Sequence, residues 1–157
     1  MTTDDWTALL RESVLAFNEY RRVHPEQPVS LFEANLAWMD LENINFEGAD
    51  LRRSLMEGCN LAGARFDRAQ MDHANLRSAR LKGASLRSVT LTSGVFQGAD
   101  LRGAALHDAS LRRVVFCDAD LTGARFTGAN LDEADLRWAT YALDEMDDAD
   151  LSSARIR

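Results

Sequence analysis

Residues 97–131 read QGADL RGAAL HDASL RRVVF CDADL TGARF TGANL, seven blocks of five that each end on Leu or Phe. Followed outward in both directions, the same spacing runs from Leu31 to Ile156. It passes through 26 positions, every one Leu, Phe, Met, Tyr or Ile, without a register slip. In a chain that is 46% apolar, chance gives such a run with a probability on the order of one in a billion. With this central position called i, position i−2 is Ala at 17 of the 26 sites, and only Ser54, Gly94 and Asp144 are not larger apolar residues or Ala. Position i+2 holds eight of the nine glycines.

A period of five fits neither a helix nor an ordinary strand. Two side chains at i−2 and i face the same way if each unit is a short extended piece followed by a turn. The glycines at i+2 then stand where a turn needs backbone freedom. Large residues at i and small ones at i−2 fill one narrow interior together. The object with these properties is an all-β solenoid whose coils stack through parallel bridges.

Units such as GADL, GANL, DADL and GARF, repeated as A(D/N)LXX over residues 29–157, resemble the pentapeptide repeat proteins. The resemblance implies a right-handed quadrilateral β-helix with four pentapeptides per square coil. That gives about 6.5 coils and a rod roughly 31 Å long at about 4.8 Å per coil. It also implies a helical cap before the first coil, and so a division into residues 1–28 (capping α-helix and linker) and 29–157 (β-helix).

The cap is legible independently. Trp6, Leu9, Leu10, Val14, Phe17 and Tyr20 form one stripe of a helix over 3–22, capped by Thr2 or Thr3 and ended by Pro25 and Pro28. Trp6 reads as its core anchor. At the other end no second helix is expected, and Tyr141, Met146, Leu151 and Ile156, with Leu136, would face solvent. A homodimer joined through that end is the expected remedy.

The chain has 157 residues, one domain's worth, and a net charge of −7, which argues against direct nucleic-acid binding. Apolar runs are only a few residues long, so neither a transmembrane span nor a signal peptide is expected, and the expected compartment is the cytoplasm. Cys59 and Cys117 make no disulfide framework. Cys59 is inward, and Cys117, at i+1, is expected to point outward.

Sorted at 20 residues per coil, one face carries Leu55, Val95 and Val115 at i−1, with Trp38 and Trp138 at i+2 and Cys117 at i+1. This apolar strip is a candidate partner surface. Charge is segregated along the axis. Residues 33–50 hold five acids and no base, residues 52–113 hold eleven bases against five acids, and residues 118–150 hold ten acids against Arg125 and Arg137. Asp132, Glu133, Asp135, Asp144, Glu145, Asp147, Asp148 and Asp150 form a candidate acidic surface. Arg77, Arg80, Lys82 and Arg87 form a basic waist.

No nucleophile, base and orienting group come together, and no cofactor or metal motif is present, so an enzyme is not expected. The leading expectation is a scaffold or interaction rod that binds a protein partner through its flat faces. The alternative comes from the resemblance: some members of the family are dimeric acidic rods that mimic duplex DNA, bind the type II topoisomerases DNA gyrase and topoisomerase IV, and confer quinolone or toxin resistance. Here the basic waist, the missing projecting loops and the missing C-terminal helix depart from that pattern.

Overall fold

The computed structural model describes residues 1–142, 146 and 149–156. It opens with two helices, α1 (Thr3–Glu12) and α2 (Val14–Val23), where one helix was expected over 3–22. Ser13 makes the difference. Its backbone is extended, its N–H closes α1 on Leu9 O, and its Oγ accepts from the Ala16 N–H at 3.1 Å. One residue thus ends the first helix and caps the second, the role in which serine competes best with helix continuation. Thr2 caps α1 in a reciprocal box with Asp5. The apolar stripe survives the break: Trp6, Leu10 and Phe17 are buried, and Leu9, Val14 and Tyr20 pack on the same core.

From Ser30 onward the chain winds into coils of twenty residues. Among the described residues, parallel bridges join residues at i−1 to those 20 positions later, in four columns that begin at Ser30, Asn35, Asp40 and Asn45. The cross-section is therefore four-sided. The expected β character takes a reduced form: each side contributes a single bridged residue per coil, and no strand forms among the described residues. A turn every five residues leaves no room for one.

The unit 75–79 shows how the backbone is satisfied. Asn75 N–H donates back one coil to Ser54 O at 3.0 Å, while Leu76 and Ser78 donate forward to Val95 O and Gln97 O at 2.7 and 2.9 Å. Ala79 N–H closes the turn on Leu76 O at 3.1 Å, and Arg77 N–H is taken by the Asn75 side chain at 3.0 Å. All five donors are used, as burial of one edge against the next coil demands. The residue at i+2 is left-handed in every unit from Glu33 to Trp138, 14 of them non-glycine and 8 glycine, with φ between +54° and +72°. The expected backbone freedom is thus required throughout, but glycine supplies it in only some units.

Every residue at i from Leu31 to Leu136 is buried. Phenylalanines stack along two sides of the interior: Phe46 on Phe66 at 5.6 Å, and Phe96 on Phe116 at 5.3 Å with nearly parallel planes. Two of the inward exceptions have simple accounts. Ser54 Oγ donates to Leu51 O at 2.7 Å, and the Leu91 side chain occupies the space a Cβ on Gly94 would need. Asp144, the third, lies outside the described residues.

The helical cap substitutes for a coil that is not there. Trp6 meets Phe17 and Tyr20 edge-on at 5.6 and 5.5 Å, and Phe17 meets Phe46 of the first coil at 5.6 Å. In the repeat pattern, Asn45 N–H would donate to a carbonyl one coil earlier, and Glu47 O would accept from position 28, which is a proline with no N–H. Instead Asn18 Oδ1 accepts from Asn45 N–H at 2.8 Å, and Arg21 donates to Glu47 O at 2.6 Å. Asn18 Nδ2 also donates to Asn43 O at 3.0 Å. Two side chains of α2 thereby reproduce the bonds of a preceding coil.

Asn18→Ala strips the acceptor from Asn45 and is expected to destabilise the fold by about 1–3 kcal/mol. In a thermal melt that is a fall of at least about 2 °C. Leu15→Ala, at a side chain 79% exposed, is the control and should leave the midpoint unchanged.

Candidate interaction faces

The side built on Leu36, Met56, Leu76, Phe96, Phe116 and Leu136 presents Trp38 and Trp138, each 72% exposed and each left-handed in its backbone. They stand in the same i+2 column, five coils and so about 24 Å apart. Holding a residue with a Cβ in that conformation costs roughly 1–2 kcal/mol, which so exposed a ring recovers little of by burial. The Trp38 ring lies over the backbone of Gly58, one coil on, where a Cβ would come within 2.2 Å of Cε3. Trp138 carries Arg137 over its ring at 5.2 Å.

Between the tryptophans, Leu55 is 44% exposed, while Val95 and Val115, bridged to each other, are half-buried. The strip is therefore narrower than expected: Leu55 projects, and the valines lie flat in the ladder. Cys117, expected to point outward, is buried at 7% exposure. Its Sγ lies 4.0 Å from Asp135 O, and the same coil supplies the Arg137–Asp135 pair beside it. Burial pushes the Cys117 thiol up, as it does that of Cys59, whose Sγ donates to Leu36 O at 2.9 Å. Both cysteines are free thiols.

On the acidic surface, carboxylates are committed to two kinds of partner. Those at i−1 accept from the backbone N–H two residues on, as Asp50 does from Arg52, Asp100 from Arg102 and Asp135 from Arg137. The same three acids clamp the guanidinium of that arginine at 2.7–2.8 Å. Arg137 holds the Asp135 carboxyl well below the usual carboxylate range, and Arg52 and Arg102 lower Asp50 and Asp100 in the same way. Asp132 is lowered by the Ser153 hydroxyl and by Arg112, and Glu133 by Arg113. Asp150 caps the Ser152 N–H at 3.0 Å. Asp144, Glu145, Asp147 and Asp148 lie outside the described residues.

At the C-terminal end the expectation of solvent-facing apolar residues needs correction. Leu136 and Met146 are buried within the chain, because they still occupy inward positions. Tyr141 and Leu151 are half-buried, and Ile156 is 47% exposed.

His73 and His107 line separate shallow grooves, the first with Phe32, Arg52 and Thr92, the second with Arg68, Arg87 and Asp108. Among the described residues no group of three or more His, Cys, Asp or Glu side chains is placed to hold a metal ion. No helix is long and apolar enough to cross a membrane. One exposed aromatic escaped the sequence reading: Phe32, 40% exposed with Arg52 over its ring at 5.6 Å. Its signal was an aromatic at i+1, a position otherwise filled almost entirely by polar or small residues.

A four-sided solenoid of pentapeptide coils, satisfied through bridges at a 20-residue register, defines a known class of repeat fold. The family model "Pentapeptide repeats (8 copies)" matches residues 30–68, 54–92, 69–108 and 99–137, and the chain belongs to the pentapeptide repeat family. Its fold is that family's quadrilateral β-helix, and proteins of the family are generally non-enzymatic. Among solved structures, it is similar to the pentapeptide repeat protein Rfr23 from the cyanobacterium Cyanothece 51142, at a TM-score of 0.64 and 19% identity over 80% of this chain and 98% of that one. It is also similar to HetL from Nostoc sp. strain PCC 7120, involved in heterocyst differentiation regulation (TM-score 0.36, 22% identity, 89% and 92% of the two chains). A third is QnrB1, a plasmid-mediated fluoroquinolone resistance protein (TM-score 0.47, 18% identity, 82% and 68%). No curated protein matches significantly.

Gly58→Ala is expected to displace the Trp38 ring and shift its fluorescence emission. Gly83→Ala, at the same left-handed conformation but with open space at its Cβ, should leave tryptophan emission unchanged.

Asp135 makes a pH prediction. A carboxyl held below its unfolded value stabilises the fold above about pH 4, and that contribution fades as pH falls toward the depressed value. Urea melts at neutral pH and at about pH 2.5 should therefore show a smaller acid-induced loss of stability in Asp135→Asn than in the unsubstituted chain. Equal losses would remove Asp135 as a source of the acid sensitivity.

Proposed function

We propose that this chain is a non-enzymatic interaction rod, wound right-handed as the family resemblance implies and working in the cytoplasm. It binds a protein partner through the face that carries Trp38, Leu55, Val95, Val115 and Trp138. One observation carries the reading: two tryptophans on a single column are 72% exposed in a backbone conformation that disfavours them. Exposed aromatics at a fixed separation are the usual anchors of a protein interface. Cys117 belongs under this face as packing, not as a contact.

The DNA-mimic reading is second. It requires free negative charge along the rod at a density resembling phosphates. Asp50, Asp100, Asp132, Glu133 and Asp135 are instead paired with arginines, which lowers the density of free negative charge along the described surface. A homodimer through the C-terminal end, using Tyr141, Leu151 and Ile156 with Met146 beneath them, would leave the tryptophan faces open.

The test is affinity capture with the full chain and with Trp38→Ala/Trp138→Ala. The expected result is a specific partner that the double variant retains at least about tenfold more weakly, with an unchanged thermal midpoint. In parallel, no change in gyrase supercoiling or in its quinolone inhibition is expected. A partner held equally by the double variant would sink the face assignment, and protection of gyrase would promote the second reading.

A further inference from the structure

Ion pairing is uneven along the rod. Arg65 and Arg68 pair with Glu47, Arg102 pairs with Asp100, and Arg112 and Arg113 pair with Asp132 and Glu133. Between these groups Arg77, Arg80, Lys82 and Arg87 are all exposed, and no ion pair involves them among the described residues.

Four nearby carboxylates, Asp40, Asp67, Asp72 and Asp100, are occupied elsewhere, while Asp108 shares a groove with Arg87 without an ion pair to it. Asp67 spends its carboxylate on the Arg87 backbone N–H at 3.0 Å and on the Ser85 hydroxyl, leaving the guanidinium of Arg87 unclaimed. Asp72 takes the Thr92 N–H at 2.7 Å. Asp100, one coil beyond Arg80 in its column, is clamped by Arg102, and Asp40, two coils before, is bonded to Asn60. Glu57 stands one coil before Arg77 without pairing to it. In a chain of net charge −7, four cations without an ion pair among the described residues stand in one place, with Asp100 acting on Lys82 only at longer range.

Their arrangement is transverse. Arg77 flanks Leu76, Arg80 and Lys82 flank Leu81, and Arg87 flanks Leu86, so the four charges pass around three successive sides of a single coil. We propose that this belt docks a short acidic segment of a protein partner, extended across the rod axis, at a surface separate from the tryptophan column. Two features select a peptide over a nucleic acid. A duplex lying along the rod would leave the belt within one coil, about 4.8 Å, and meet Glu57 and Asp67 on one side and Asp100 on the other. A single strand could wrap transversely, but it gains its affinity largely from stacking on aromatic rings. Residues 67–95 contain no Phe, Tyr or Trp.

The probe is a fluorescein-labelled octapeptide of Asp and Glu, titrated with the full chain at low salt and followed by anisotropy. Saturable binding is expected, weakening steeply as salt is added. Arg80→Ala/Lys82→Ala should lower affinity by about tenfold. Arg112→Ala/Arg113→Ala, which removes the same charge from paired positions, should lower it by less than about threefold. Thermal melts of both variants establish that the chains are folded. Absence of saturable binding overturns the proposal, as does an equal loss in the two variants. Competition by a duplex or single-stranded oligonucleotide at lower concentration than unlabelled peptide overturns it too, and makes the belt a nucleic-acid site.

Discussion

The constraint on which everything else depends is the need to satisfy the backbone N–H groups of each five-residue unit when no strand forms among the described residues. Three bonds per unit go to neighbouring coils and one closes the turn. The fifth, at i+1, finds its acceptor in the Asp or Asn side chain at i−1 wherever one is present, as with Asn35, Asn75 and Asn130. The repeat signature A(D/N)LXX is thus a hydrogen-bonding formula as much as a packing one. Where Ser85 and Thr90 replace the acid or amide, Asp67 and Asp72 of the preceding coil reach across to take the orphaned N–H of Arg87 and Thr92. At these two units the duty is transferred to the neighbouring coil, whereas units with Arg80, Val95, Ala105 or Val115 at i−1 supply no side-chain acceptor of this kind.

That formula explains why so much of the fold was legible from residues alone. The inward ladder and the turn position follow from apolar spacing and the glycines, and the 20-residue register is what the family resemblance implies. What escaped were features in which one side chain does two jobs. Ser13 breaks a helix whose apolar stripe runs through it without interruption, because a hydroxyl that caps α2 is invisible to periodicity. Cys117 holds an i+1 position that usually faces water, and it is buried beside the Asp135–Arg137 pair of the next coil, a neighbour twenty residues away. The acidic columns looked like free charge in a count of Asp and Glu. Their pairing with arginines two or twenty residues away depends on the coil geometry, and a linear count does not contain it.

The candidate surfaces were legible to a lesser degree. Trp38 and Trp138 could be placed on one column from the register, but their left-handed backbone and their exposure could not. The segregation of charge into acidic ends and a basic waist was likewise visible. The division of the waist into paired arginines and an unpaired belt was not, since it depends on which carboxylates are already occupied by backbone donors.

Stacked coils also fix what a partner would meet. Each coil is bonded to its neighbours on four sides, so rotating one side chain's backbone out of register would break bonds in two coils at once. Trp38 and Trp138 are therefore held at a set distance on a surface that loses little backbone freedom on binding. Pre-organisation of this kind removes an ordering cost that a flexible loop would incur. It also limits the surface: a rod that cannot bend to its partner must find one whose own shape is flat or extended along the column. Asn18 and Arg21 matter to this rigidity although they are far from Trp138, because an unsatisfied first coil would fray. Trp38 sits in that coil, and its position is only as fixed as the cap beneath it.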